Sequence, residues 1–184
     1  MDTSYLPSVK KQFEYYKSLG DKTFAQLTEE QFFWLPNEDD NSVAIIVKHI
    51  AGNMKSRWTN FLTEDGEKEW RNRDEEFVNS FTTKEEVISY WESGWKCLFD
   101  AINPLKEKDM DTIVYIRNHG HTITEAINRQ LCHYSYHVGQ IVFLGKLLLG
   151  EKFKSLSVAK GTSKEYNADK FSKEKRRTHF TDDL

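Results

Sequence analysis

The chain has 184 residues, 38% of them hydrophobic, which is enough for the core of one domain and leaves no room for a second large one. Its formal net charge is -3 with both signs interspersed, so no global basic field speaks for nucleic acid. The two cysteines, Cys97 and Cys132, form no CxxC pair, which argues against a disulfide scaffold or a thiolate-rich zinc site and for a reducing compartment.

Leu6, Val9, Phe13 and Tyr16 recur at three- and four-residue spacing and predict a first helix over residues 5–19 that ends at Gly20. No apolar run of signal-peptide type occurs in this region, so the expected location is cytoplasmic. Thr28 with Gln31 is a capping box for a short helix that stops before Pro36. After a polar loop, Asn41 or Ser42 caps a second long helix reaching about residue 62, with Val43, Val47, Ile50, Met54, Trp58 and Phe61 on one face. Residues 63–80 are charged and aperiodic, include Trp70-Arg71-Asn72-Arg73-Asp74, and resemble a functional loop more than a simple connection. Thr83 with Glu86 caps a third long helix carrying Val87, Trp91, Leu98 and Ile102 as far as Pro104. The β-prone run at residues 112–118 predicts a short extended segment or small hairpin. Thr122 with Glu125 then opens the last helix, which Gly150 stops near residue 149. Residues 141–149 are short and interrupted by Lys146, so no membrane span is expected.

These elements predict an all-α fold, a four-helix bundle over residues 1–165 with a short extended segment before its last helix. Residues 166–184, with Lys173-Glu174-Lys175-Arg176-Arg177, are expected to be a charged, solvated tail.

The chemistry-bearing pattern is His133 and His137, one turn apart on the last helix, with His49 on the second long helix. All lie on the flank of an apolar arc, where a side chain is shielded from bulk water yet reachable by a ligand. Three neutral imidazoles from two helices can hold a divalent ion and leave a coordination position open. Asn53 and Arg57 continue the polar stripe from His49, and Arg129 and Gln140 flank the pair, as candidates for substrate binding or ligand support. Arg57, Arg71, Arg73 and Arg129 are candidates to recognise a carboxylate or phosphate, with ordinary ion pairing as the alternative. His119 and His121 are assigned to turn and helix-start structure, Cys132 to packing, and His179 to the tail. Tyr136 and Phe143 point away from the buried arc, which suggests a subunit interface or a strip covered by the C-terminal extension.

The segments His133-Tyr-Ser-Tyr-His137-Val-Gly-Gln140-Ile141 and Val47-Lys48-His49-Ile50-Ala51-Gly52-Asn53 resemble the histidine motifs of the DinB-like superfamily, with a similarity covering roughly residues 5–165. The resemblance implies a four-helix bundle, frequent homodimerisation, and a metal, usually zinc or nickel, held by His49, His133 and His137. It further implies thiol-dependent transfer or isomerisation with bacillithiol, mycothiol or glutathione, although no thiol-binding signature maps onto this chain. The expected function is therefore a divalent-metal-dependent thiol S-transferase, or a related hydrolase, acting on a small electrophile, with neither nucleic acid nor membrane as partner. The alternative is a non-catalytic small-molecule binder or stress-associated interaction protein with structural histidines.

Overall fold

The computed structural model describes residues 5–183. The first four residues of the expected bundle, and Leu184 of the expected tail, lie outside them. Four long helices pack around a single core: α1 (Tyr5–Phe24), α3 (Val43–Trp58), α4 (Lys84–Ile102) and α5 (Ile123–Leu149). The short α2 (Glu29–Phe33) follows α1, and β1 (Ile113–Ile116) pairs antiparallel with β2 (His119–Thr122) immediately before α5. The fold is all-α apart from this hairpin. Among the described residues, no helix is long and apolar enough to cross a membrane.

Local chemistry accounts for most boundaries. Thr28, Thr83 and Thr122 each accept the N–H of the residue three positions on, and Gln31, Glu86 and Glu125 each reach back to the cap's own N–H, so two orphan donors are satisfied at each start. Ser42 caps α3 through the N–H of Ile45. Helix α1, by contrast, runs through Gly20 to Phe24. The glycine is there for packing: a Cβ on Gly20 would stand 2.5 Å from Cζ2 of the fully buried Trp91. Helix α3 ends at Trp58, short of residue 62, and Asn60 then takes a positive φ of 49°.

Helix α3 packs on α4, and α1 on α5. Their shared interior holds Phe13, Ile50, Met54, Trp91, Trp95, Leu98, Ile127, Tyr134 and Ile141, all fully buried. Tyr134 ties this core to the helix that carries the histidine pair. Its ring lies 6.1 Å from Phe13 and 6.0 Å from Trp95, and its hydroxyl donates to Asn53 Oδ1 at 3.1 Å while accepting from Trp58 Nε1 at 3.1 Å. A buried hydroxyl used in both roles fixes the rotation of α5 against α3.

Residues after Gly161 are exposed but ordered into structure: Ser163–Phe171 forms α6, and a 3-10 turn at Phe180–Asp183 docks on α1. Lys11 Nζ meets Asp182 Oδ1 at 2.5 Å, and the rings of Tyr15 and Phe180 lie 5.3 Å apart edge to face. The segment therefore covers α1 and leaves the outward strip of α5 open, with Tyr136 63%, Phe143 66% and Leu147 55% exposed.

Candidate metal centre

The rotation of α5 brings His133 and His137 face to face with His49 of α3, so that one ligand atom from each lies within 4.8 Å of the others. His133 Nε2 is 3.3 Å from His49 Nε2 and 3.1 Å from His137 Nε2. Imidazole nitrogens about 2.0–2.1 Å from a tetrahedral ion lie roughly 3.3–3.4 Å from one another, so the two distances from His133 Nε2 are close to edges of a coordination polyhedron.

Proton placement makes the same point independently. His49 Nδ1 lies 2.9 Å from Glu76 Oε2, and His137 Nδ1 lies 2.7 Å from Gln140 Oε1. Both oxygens are acceptors, so both Nδ1 atoms carry the proton and both Nε2 atoms present bare lone pairs to the centre. His133 Nε2 stands between these lone pairs and can donate a proton to only one of them. The trio cannot satisfy itself, whereas a cation satisfies all three nitrogens. The donor set fits a divalent ion, and imidazole suits several.

Electrostatics hold His133 and His137 neutral, as ligands must be. Burial, reinforced by His137, His49, Arg57 and Arg71, pushes the His133 imidazolium down to about 3. Burial likewise lowers His137, against the opposing hydrogen bond that it donates to Gln140 Oε1. At Glu76 burial alone would raise the carboxyl, but the hydrogen bonds from His49 and Arg71 hold it below the usual range and keep it ionised.

Glu76 comes from the long linker between α3 and α4, in a 3-10 turn at Asp74–Phe77. Arg71 grips it with a fork, Nε to Oε1 at 2.7 Å and Nη2 to Oε2 at 2.8 Å. The carboxylate rests against Gly52 of α3, where a Cβ would stand 2.5 Å from Glu76 Oε1 and would displace the carboxylate from this position. Phe77 stacks on the His49 ring at 4.9 Å. The linker thus supplies the support for His49.

A cavity of about 320 Å³ opens beside the histidines, lined also by Asn53, Arg57, Arg71, Arg73, Phe77, Arg117, Arg129 and Gln130. Arg57 is buried, with Nη1 donating to the Gly66 carbonyl and Nη2 reaching Glu67 Oε2 at 3.1 Å. Arg117 sits at the hairpin tip, where it and Asn118 take φ of 55° and 61° and donate their N–H groups to the Asp65 carboxylate at 2.8 Å each. A left-handed arginine is uncommon, and its persistence here depends on that carboxylate.

Of the residues singled out from sequence, His49, His133 and His137 come together and Asn53, Arg57 and Arg129 line the adjoining cavity. Gln140 is not in the cavity lining and acts on His137 alone, among the site residues. His119 and His121 form β2 instead of a turn, and His121 Nε2 lies 3.3 Å from Arg129 Nη1. Cys132 is exposed and not packed. Sequence reasoning missed Glu76, Arg117 and Gln130. The acidic residues behind Arg71 and Arg73 were the only signal for Glu76, and nothing in a linker without periodicity distinguishes one of them.

These features define a helical-bundle protein with a three-histidine cluster able to hold a metal ion. Residues 1–162 match the family described as "Protein of unknown function (DUF1572)", and the chain belongs to that family. No curated protein matches the chain.

Proposed function

We propose that this protein is a divalent-metal-dependent enzyme of DinB-like type that transfers a low-molecular-weight thiol to a small electrophile, with hydrolysis of a related substrate as a close variant. The observation that carries this reading is the convergence of three Nε2 atoms that cannot satisfy one another, beside a cavity large enough for a small molecule. Zinc or nickel suits a neutral imidazole set, and either ion lowers the pKa of a thiol or water that it binds, supplying a nucleophile at neutral pH. The chain's own residues do the rest. Glu76 and Gln140 orient His49 and His137, and the arginines of the cavity bind and orient the substrate. We further propose a cytoplasmic homodimer, with the open strip of α5 as its interface and no role for nucleic acid or membrane.

The test is elemental analysis of untagged protein purified without chelator, followed by a screen of thiols against small electrophiles. About one zinc or nickel per chain, lost in His49→Ala and His137→Ala variants that keep their helical circular dichroism, supports the reading. Absence of metal, with no change in melting temperature on adding zinc or nickel, overturns it.

A further inference from the structure

The cavity beside the histidines carries a charge imbalance that no resident group relieves. Its lining includes five arginines, Arg57, Arg71, Arg73, Arg117 and Arg129. Against them stand three carboxylates: Glu67, shared by Arg57, Arg71 and Arg117; Glu76, gripped by Arg71 and His49; and Asp65, which accepts the backbone N–H groups of Arg117 and Asn118 and lies close enough to Arg57 to feel its charge. Among the described residues no carboxylate pairs with Arg73 or Arg129. Arg73 lies over the Phe77 ring at 5.2 Å, and Arg129 Nη1 meets a ring nitrogen of His121 at 3.3 Å.

Concentrating this much positive charge in one cleft of a chain whose net charge is -3 is costly in the ligand-free protein. The cost is visible at Arg57. Its guanidinium is buried, its Nε has no hydrogen-bond partner, and burial lowers its pKa despite the nearby Glu67. The opposite wall holds Gln130, 3% exposed, whose side-chain oxygen also lacks a partner. The hairpin adds a further cation by keeping Arg117 in a left-handed conformation at the rim. Solvated surface arginines need none of these devices.

We propose that this cavity is a binding site for an oxyanion group, a carboxylate or a phosphoryl group, on the substrate or cosubstrate. Arg73 and Arg129 close on that group, Arg57 and Arg117 supply the field, and Gln130 accepts a hydrogen bond from an N–H or O–H of the same ligand. This assignment names the ligand class for the enzyme proposed above and rests on that reading for its catalytic meaning, but anion binding itself does not need the metal. A guanidinium fork recognises both oxyanion types, so the source is decided by experiment.

The measurement is titration calorimetry on the full-length protein with succinate and with inorganic phosphate as probes, at physiological ionic strength. Chelator-treated protein is used for both probes, so that neither binds through a metal ion, and succinate is repeated on zinc-loaded protein. The variant is Arg73→Ala/Arg129→Ala, and Arg176→Ala in the C-terminal segment is the control. We expect saturable binding of at least one probe, weakened about tenfold or more in the double variant and unchanged in the control. Preference for succinate identifies a carboxylate ligand, and preference for phosphate a phosphoryl one. Failure of the wild type to bind either probe overturns the proposal, as does equal binding by the double variant. Zinc content is measured in parallel. Arg-dependent anion binding without metal uptake leaves this inference standing and removes the enzyme reading, and metal uptake without anion binding does the reverse.

Discussion

The Nδ1 atom of His49 on α3 lies 2.9 Å from Oε2 of Glu76, a residue 27 positions on in the linker, and this contact turns the other imidazole nitrogen toward His133. A carboxylate behind a ligand histidine fixes its tautomer and strengthens it as a donor. Glu76→Gln keeps the shape but removes the charge, so the hydrogen bond behind the His49 ring weakens and the buried Arg71 loses its main counter-ion. We expect metal affinity to fall about 10–100-fold. Stability should fall by about 2–3 kcal/mol, since Glu67 retains part of the pairing with Arg71. Competition against a chromophoric zinc chelator and urea unfolding measure the two effects. Unchanged zinc affinity would assign Glu76 to the loop alone.

The neutral imidazoles make the metal-free protein acid-sensitive in a defined window. An unfolded histidine takes up its proton near its ordinary pKa of about 6.5, while His133 in the fold resists protonation down to about 3 and His137 is shifted in the same direction. Below pH about 6.5 the unfolded state therefore binds more protons, and stability is lost as pH falls toward the folded pKa. The slope is at most about 1.4 kcal/mol per pH unit for each imidazole kept neutral, and less for one that solvent reaches. We expect the chelator-treated protein to lose more stability between neutral and mildly acid pH than a His133→Gln variant does. Parallel pH profiles for the two proteins would contradict this account.

The long helices were legible because their signals are local. Capping boxes at Thr28, Thr83 and Thr122, and the apolar periodicity behind them, act within a turn or two of chain. The spacing of His133 and His137 and the flank position of His49 were legible for the same reason. Gly20 was misleading because its role is tertiary: a glycine after an amphipathic run resembles a helix end, yet here it accommodates Trp91 from α4. Glu76 and Arg117 were hidden for a related reason. Their placement depends on a loop conformation and a hairpin tip anchored by Asp65, and neither leaves a periodic trace. Helix α6 is exposed on all sides and has no buried residues, so no apolar stripe announced it.

Gly20 gives a direct test of that packing. In an exposed helix, glycine to alanine is stabilising by about 1 kcal/mol. Here the added methyl would overlap the indole of Trp91, which is fully buried and anchored by an Nε1 hydrogen bond to Asp21 Oδ1 at 2.8 Å. We expect Gly20→Ala to destabilise by about 1–3 kcal/mol, the range for overpacking a core. A Trp91→Phe background, which frees space beside the glycine, should reduce that penalty. Thermal unfolding of the two singles and the double gives the coupling, and strict additivity would argue against the Gly20–Trp91 contact.

The open strip of α5 joins the proposed assembly to the metal centre. Tyr136, Phe143 and Leu147 follow one another at seven- and four-residue steps and are each more than half exposed. Tyr136 also accepts a hydrogen bond from Gln140 Nε2 at 3.2 Å, and Gln140 in turn holds His137. Burying Tyr136 against a second subunit would shield this relay from water and stiffen it. We expect sedimentation velocity to give a dimer for the wild type and a monomer for Phe143→Glu, with helicity unchanged. Phe143 is not one of the three histidines but lines one cleft with Tyr136 and Gln140, so the monomeric variant should still take up one metal ion per chain, but about severalfold more weakly, as expected when an outer hydrogen-bonding partner of a ligand is loosened. A wild type that sediments as a monomer would remove the dimer from the proposal. A monomeric variant with undiminished affinity would keep the dimer and sever its link to His137.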